Sequence, residues 1–112
     1  MESQFGEKIR MHREKHNLYL RQVAPLLEMD PAQLSKIEKG LRQMKKEKIP
    51  YLAEILNADP DELMTLWLAD QVYELVQDQN LGIKAMQVAK KKIKYNKKNN
   101  LMEIETGQVV KT

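Results

Sequence analysis

The segment from Leu18 to Gly40, LYLRQVAPLLEMDPAQLSKIEKG, constrains this chain more than any other stretch. Asp30-Pro31 is a strong helix start. The Asp supplies a capping oxygen, and Pro at the first helical position gives up an N–H that has no helical partner there. Gln33, three residues after Asp30, is placed to reach back to the cap's backbone as in a capping box. Leu34 and Ile37 put apolar groups on one face, while Gln33, Lys36 and Lys39 look elsewhere. Gly40 stands where a left-handed residue ends a helix. Upstream, Val23, Ala24 and Leu27 keep helical spacing for about two turns. Two short helices joined by about three residues make a helix-turn-helix, whose second member fits the DNA major groove.

The remaining sequence predicts an all-α chain. A length of 112 residues suggests one domain with added elements, and the lack of cysteine excludes a disulfide framework and cysteine-ligated zinc. No apolar run approaches the roughly 20 residues that span a bilayer, and MESQFGEKIR lacks signal-peptide features. A soluble cytoplasmic protein with no membrane contact is expected. The net charge is only +3, but it is segregated. Residues 1–53 carry 11 Lys/Arg against 7 Asp/Glu, residues 54–80 carry 7 acids and no base, and residues 81–98 carry 7 lysines and no acid. Such segregation predicts anion-facing surfaces on either side of an acidic middle.

A first helix is predicted over Glu2 to His16, with Phe5, Ile9, His12 and His16 on one face. The two histidines, at i and i+4, are read as half-buried and hydrogen-bonded, because no third ligand stands near them to make a metal site. The second helix runs from about Leu20 to Leu27; Pro25 should distort its last turn, and Tyr19 is a poor N-cap. Glu28 is expected to hold a positive φ in the turn. A fourth helix covers about Lys45 to Asn57, with Pro50 drawing its start towards Glu47 to Ile49. Asp59-Pro60 starts a fifth helix reaching about Asp78. That helix is apolar nearly all round, which demands cover on several sides, from a sixth helix or a second subunit. The sixth is predicted over about Leu81 to Lys94, capped by Asn80, and from Tyr95 a loose tail is expected, with faint strand-like alternation at Leu101, Glu103 and Glu105.

Taken together, Leu18, Val23-Ala24 and Leu34-Ser35-Lys36-Ile37-Glu38-Lys39-Gly40 resemble the phage-repressor and Cro-like (XRE) class of helix-turn-helix regulators. The resemblance covers roughly Phe5 to Met64. It implies a five-helix repressor-like domain within residues 1–69. Residues 70–94 then continue the fifth helix and add a sixth, a possible dimerisation element, and 95–112 form the flexible basic and polar tail. The resemblance also implies that Arg13 pairs with Glu38, tying the first helix to the recognition helix through charge-assisted hydrogen bonds.

Carried over residue by residue, the family's base-reading positions fall on Pro31, Ala32, Gln33 and Lys36. Gln33 suits adenine, Lys36 suits guanine and Ala32 suits a thymine methyl, whereas Pro31 has no hydrogen-bonding side chain. Leu20 stands where relatives often carry Gln, so phosphate contact there passes to Tyr19, Arg21 or Gln22. Lys39, Arg42, Lys45 and Lys46 follow the recognition helix and are the best phosphate binders. Lys90, Lys91, Lys92, Lys94, Lys97 and Lys98 form a second basic block. It either meets DNA or faces the acidic stretch Glu54 to Asp78, within the subunit or across a dimer.

No glycine-rich phosphate loop, catalytic carboxylate pair or Ser/Cys–His arrangement is present, so neither enzymatic activity nor a cofactor is expected. Ser35 has no base at useful spacing. The resemblance implies a sequence-specific, double-stranded-DNA-binding transcriptional regulator, acting as a homodimer: an autoregulating repressor or a restriction-modification-type controller. The alternative is an antitoxin-like module that binds a protein partner, with DNA contact secondary. RNA binding through the lysine-rich C-terminus is disfavoured by the chain's few aromatic residues.

Overall fold

The computed structural model describes residues 3–106, with side chains through residue 98. Six α-helices follow in order: α1 (Gln4–Lys15), α2 (Leu20–Val23), α3 (Pro31–Glu38), α4 (Ile49–Leu56), α5 (Pro60–Val76) and α6 (Gly82–Thr106). The chain divides into two compact units, Met1–Glu74 and Leu75–Thr112. Among the described residues no helix is long and apolar enough to cross a membrane.

In the first unit, α1 starts at Gln4, two residues later than the sequence suggests, because the Ser3 hydroxyl accepts the Gly6 N–H at 2.9 Å and so sets the cap. Glu2 lies outside the described residues. Pro25 divides the second predicted helix: α2 stops at Val23, and Ala24–Leu27 tightens into a 3-10 turn. A second 3-10 turn at Lys46–Lys48 precedes α4, whose first turn holds Pro50. The α4 start therefore sits at Ile49, at the end of the Glu47 to Ile49 range to which Pro50 points. Asp59 caps α5 by accepting the Asp61 N–H at 2.9 Å.

Four chain reversals in this unit use one device. Asn17, Glu28, Gly40 and Asn57 adopt φ of 55°, 57°, 77° and 51°. The N–H of the following residue then returns to the carbonyl five positions back: Leu18 to Arg13, Met29 to Ala24, Leu41 to Lys36 and Ala58 to Ala53. This is the Schellman arrangement, which satisfies carbonyls left over at a helix end. Only Gly40 adopts it without the steric penalty of a Cβ.

One core results. Phe5 and Ile9 of α1, Val23, Ala24 and Leu27 around the bend, and Leu34 and Ile37 of α3 pack with Ile49, Leu52, Ala53 and Leu56 of α4 and Leu63 of α5. Met44, in the loop after α3, is also buried. Within the single chain the fifth helix is not covered on several sides. Leu63 is its one fully buried residue, Met64, Leu66 and Trp67 pack partly on the core, and Leu68, Val72, Tyr73 and Leu75 are exposed. Helix α5 packs on the core through Leu63 to Trp67 and touches the start of α1 through Asp70. The histidines also depart from expectation: His16 is exposed and lies past the end of α1, and the buried Nε2 of His12 has no hydrogen-bond partner.

In the second unit, α5 ends at Val76 rather than Asp78, and α6 begins at Gly82, one residue after the position predicted from Asn80. A Cβ on Gly82 would lie 2.6 Å from the Val76 carbonyl oxygen, so glycine is what lets the chain turn this tightly. The loose tail expected from Tyr95 is corrected for residues 95–106, which continue α6 to Thr106 in place of any strand. No Gly or Pro interrupts the sequence between Gly82 and Gly107, and Lys, Met, Leu and Glu favour the helix. Residues 107–112 lie outside the described residues.

Candidate nucleic-acid interface

Helix α3, the recognition helix expected from the sequence, is held from behind. The Asp30 carboxylate accepts the Gln33 N–H at 2.9 Å, and Pro31 occupies the first helical position. The reciprocal bond from the Gln33 side chain to the cap backbone, expected from the sequence, is not formed among the described residues. Leu34, Ile37 and Glu38 turn inward and are buried. At about 100° per residue, Ala32, Lys36 and Lys39 then share the outward face, and Gln33 stands at its border beside Ile37. The burial agrees: Ala32, Lys36 and Lys39 are exposed and Gln33 is half-buried. Lys39, expected from the sequence to bind phosphate, thus shares a face with Ala32 and Lys36, which are expected to read bases.

The anchor behind this face is ionic. Arg13 Nε donates to Glu38 Oε2 at 2.7 Å and its Nη2 to Oε1 at 3.0 Å, with the two side chains only 11% and 6% exposed. Arg13 Nη1 donates further to the Leu18 carbonyl at 2.9 Å. One guanidinium therefore joins α1, the entry to α2 and the end of α3. The hydrogen bond to Glu38 raises the Arg13 pKa above its ordinary value, against the opposing effect of burial, and keeps the group cationic. Gly6 lets the helices close: a Cβ there would sit 2.4 Å from the Glu38 carbonyl oxygen and 2.7 Å from that of Ile37.

Two basic flanks border the face. At the start of α2, Tyr19, Arg21 and Gln22 are exposed, and the Arg21 guanidinium lies 4.5 Å from the centre of the Tyr19 ring. Tyr19 makes no side-chain cap, but Gln22 Oε1 accepts the Tyr19 N–H at 2.8 Å, which leaves its amide NH2 as the donor end. After α3, Arg42, Lys45 and Lys46 are exposed. This loop is pinned at its centre, where Met44 is buried and its carbonyl accepts the Trp67 indole N–H at 2.8 Å. Lys48 turns the other way: half-buried, it donates to the Leu27 carbonyl and closes the 3-10 turn.

Sequence reasoning missed several of these supports. Asp70 of α5 accepts hydrogen bonds from the Ser3 hydroxyl (2.6 Å) and from the Gln4 (3.2 Å) and Phe5 (3.1 Å) N–H groups, so it caps α1 from a distant helix. Lys8 of α1 pairs with Glu62 of α5 at 2.8 Å. Among the described residues, no group of three or more His, Cys, Asp or Glu side chains is placed to hold a metal ion.

A family model described as a helix-turn-helix domain matches residues 4–66, more than half of the chain. The chain belongs to this helix-turn-helix family. Among solved structures, the helix-turn-helix protein is similar to the clp gene regulator ClgR from Corynebacterium glutamicum, with a TM-score of 0.53 and 18% identity over 95% of this chain and 94% of that one. No curated protein matches the sequence.

Proposed function

We propose that this helix-turn-helix protein is a sequence-specific DNA-binding transcriptional regulator of the cytoplasm, acting as a repressor that controls its own operon. One observation carries the reading: α3 is locked on its inner face by Leu34, Ile37 and the Arg13–Glu38 pair, while Ala32 and Lys36 stand free on its outer face. Fixing the inner face limits the ordering entropy that a base-reading helix must lose on binding. Lys36 donates to guanine, Gln33 reads adenine from the border, and Ala32 meets a thymine methyl. Tyr19, Arg21 and Gln22 on one side, and Lys39, Arg42, Lys45 and Lys46 on the other, hold phosphates and set the register. At the level of the fold, the likeness to a gene regulator agrees with this reading.

A homodimer would place two recognition helices roughly 34 Å apart, reading a two-fold operator at half-sites one turn apart. Its supporting feature is the exposed row of Leu68, Val72 and Leu75 on α5. The same row favours a second reading, an antitoxin-like module that holds another protein there. Titration of the protein into a labelled duplex from upstream of its own gene, at two salt concentrations and with unrelated competitor, tests the proposal. Saturable binding that survives competitor supports the regulator. Binding abolished by competitor, together with capture of a protein partner through Leu68 and Val72, supports the second reading.

A further inference from the structure

The lysine-rich segment 82–98 lies on one uninterrupted helix, and its lysines are not spread evenly around it. At about 100° per residue, Lys84, Lys90, Lys91, Lys94, Lys97 and Lys98 fall within roughly 140° of arc, and Lys92 stands apart. Along the axis, Lys84 to Lys98 spans about 21 Å. Every one of these side chains is exposed. None forms an ion pair among the described residues, and no acid occurs between positions 81 and 98. Lys90 with Lys94, and Lys94 with Lys98, are like charges at i and i+4, which repel and weaken the helix that carries them. Counter-charge collecting along such a face relieves that repulsion.

From this we infer that the basic face of α6 is a second phosphate-binding element, one that holds duplex DNA outside the bases read by α3. The inference rests on the DNA-binding reading above and adds a surface to it. Duplex DNA offers one negative charge per about 1.7 Å of axis, so a straight row of about 21 Å finds phosphate along its whole length. Lysine suits such a surface, because it meets phosphate as a point charge and makes no demand on base sequence. The element therefore adds affinity, salt dependence and on-rate, and leaves base preference to α3.

The test compares the full chain with the variant K90Q/K94Q/K97Q/K98Q and with its arginine counterpart K90R/K94R/K97R/K98R. Circular dichroism first verifies helix content. Binding to the upstream duplex and to an unrelated duplex is then measured across salt concentrations, and the oligomeric state by light scattering. The glutamine variant should lose about 3.6 from the slope of log K against log salt, equally on both duplexes, at roughly 0.9 for each of four phosphates no longer neutralised. The preference between the two duplexes should stay unchanged, and the arginine variant should keep the wild-type slope. A wild-type slope in the glutamine variant overturns the inference while leaving DNA binding by α3 intact. A reduced slope accompanied by a change in oligomeric state also overturns it, because the lysines then face the acidic stretch of a second copy. If the wild-type chain binds neither duplex, both readings fail together.

Discussion

Arg13 and Glu38 meet as a two-pronged pair, with Nε and Nη2 of one guanidinium against the two oxygens of one carboxylate, at 2.7 and 3.0 Å. The pair is nearly sealed from water and couples α1 to the last turn of α3. It fixes the position of α3 from its buried side and leaves the outward face clear.

Arg13→Ala should lower unfolding free energy by about 3–5 kcal/mol, since it strands the buried Glu38 charge. Arg13→Lys should recover only part of that loss, because an ammonium cannot match both oxygens at once. Replacing both partners, as in Arg13→Met with Glu38→Leu, should cost less than Arg13→Ala alone. Urea denaturation of these variants beside the wild type measures all three expectations. A double variant weaker than Arg13→Ala would show that the pair contributes net stability.

Gly6→Ala should destabilise the domain by about 2–3 kcal/mol, an overpacking cost, because the new methyl meets backbone oxygens that cannot rotate away. Thermal melts check the size of the effect. The same variant should weaken DNA binding by displacing the end of α3.

Asp70→Ala removes the acceptor shared by Ser3, Gln4 and Phe5. A loss of about 1–2 kcal/mol is expected, in the range of a helix cap. Amide exchange at Gln4 and Phe5 should accelerate ahead of the rest of α1. Unchanged exchange there would rule out Asp70 as the cap.

Glu28→Gly should stabilise the protein by about 0.5 kcal/mol. Relief of a left-handed Cβ, at about 1–2 kcal/mol, outweighs the extra chain entropy glycine brings to the unfolded state. Glu28→Ala keeps the Cβ and should give no such gain. The difference between the two melting temperatures is the quantity to measure.

Lys36→Ala should relax base preference at one operator position, read from a panel of single-base operator variants, at about 1–3 kcal/mol of discrimination. Lys45→Ala should instead weaken all duplexes alike and reduce the salt slope by about 1. A base-specific effect at Lys45 would exchange the two roles.

The local features of this fold are legible in the amino-acid sequence. Asp30-Pro31, Asp59-Pro60 and Gly40 mark helix ends because caps and left-handed turns act over four or five residues, within any short window. Pro25 announces its distortion for the same reason, and so does the positive φ at Glu28. What the sequence could not determine lies farther apart. Ser3 and Asp70 are separated by 67 positions, and no local pattern distinguishes Asp70 from the other acids of α5. Gly6 is an ordinary glycine until α3 arrives against it, and Lys48 resembles its exposed neighbours until Leu27 offers a carbonyl. The extent of α6, by contrast, is written locally: polar, lysine-rich sequence ends a helix only where a breaker interrupts it, and none stands before Gly107. Backbone propensity and capping chemistry are written residue by residue, whereas a long-range contact exists only after the chain has folded and brought its two partners together.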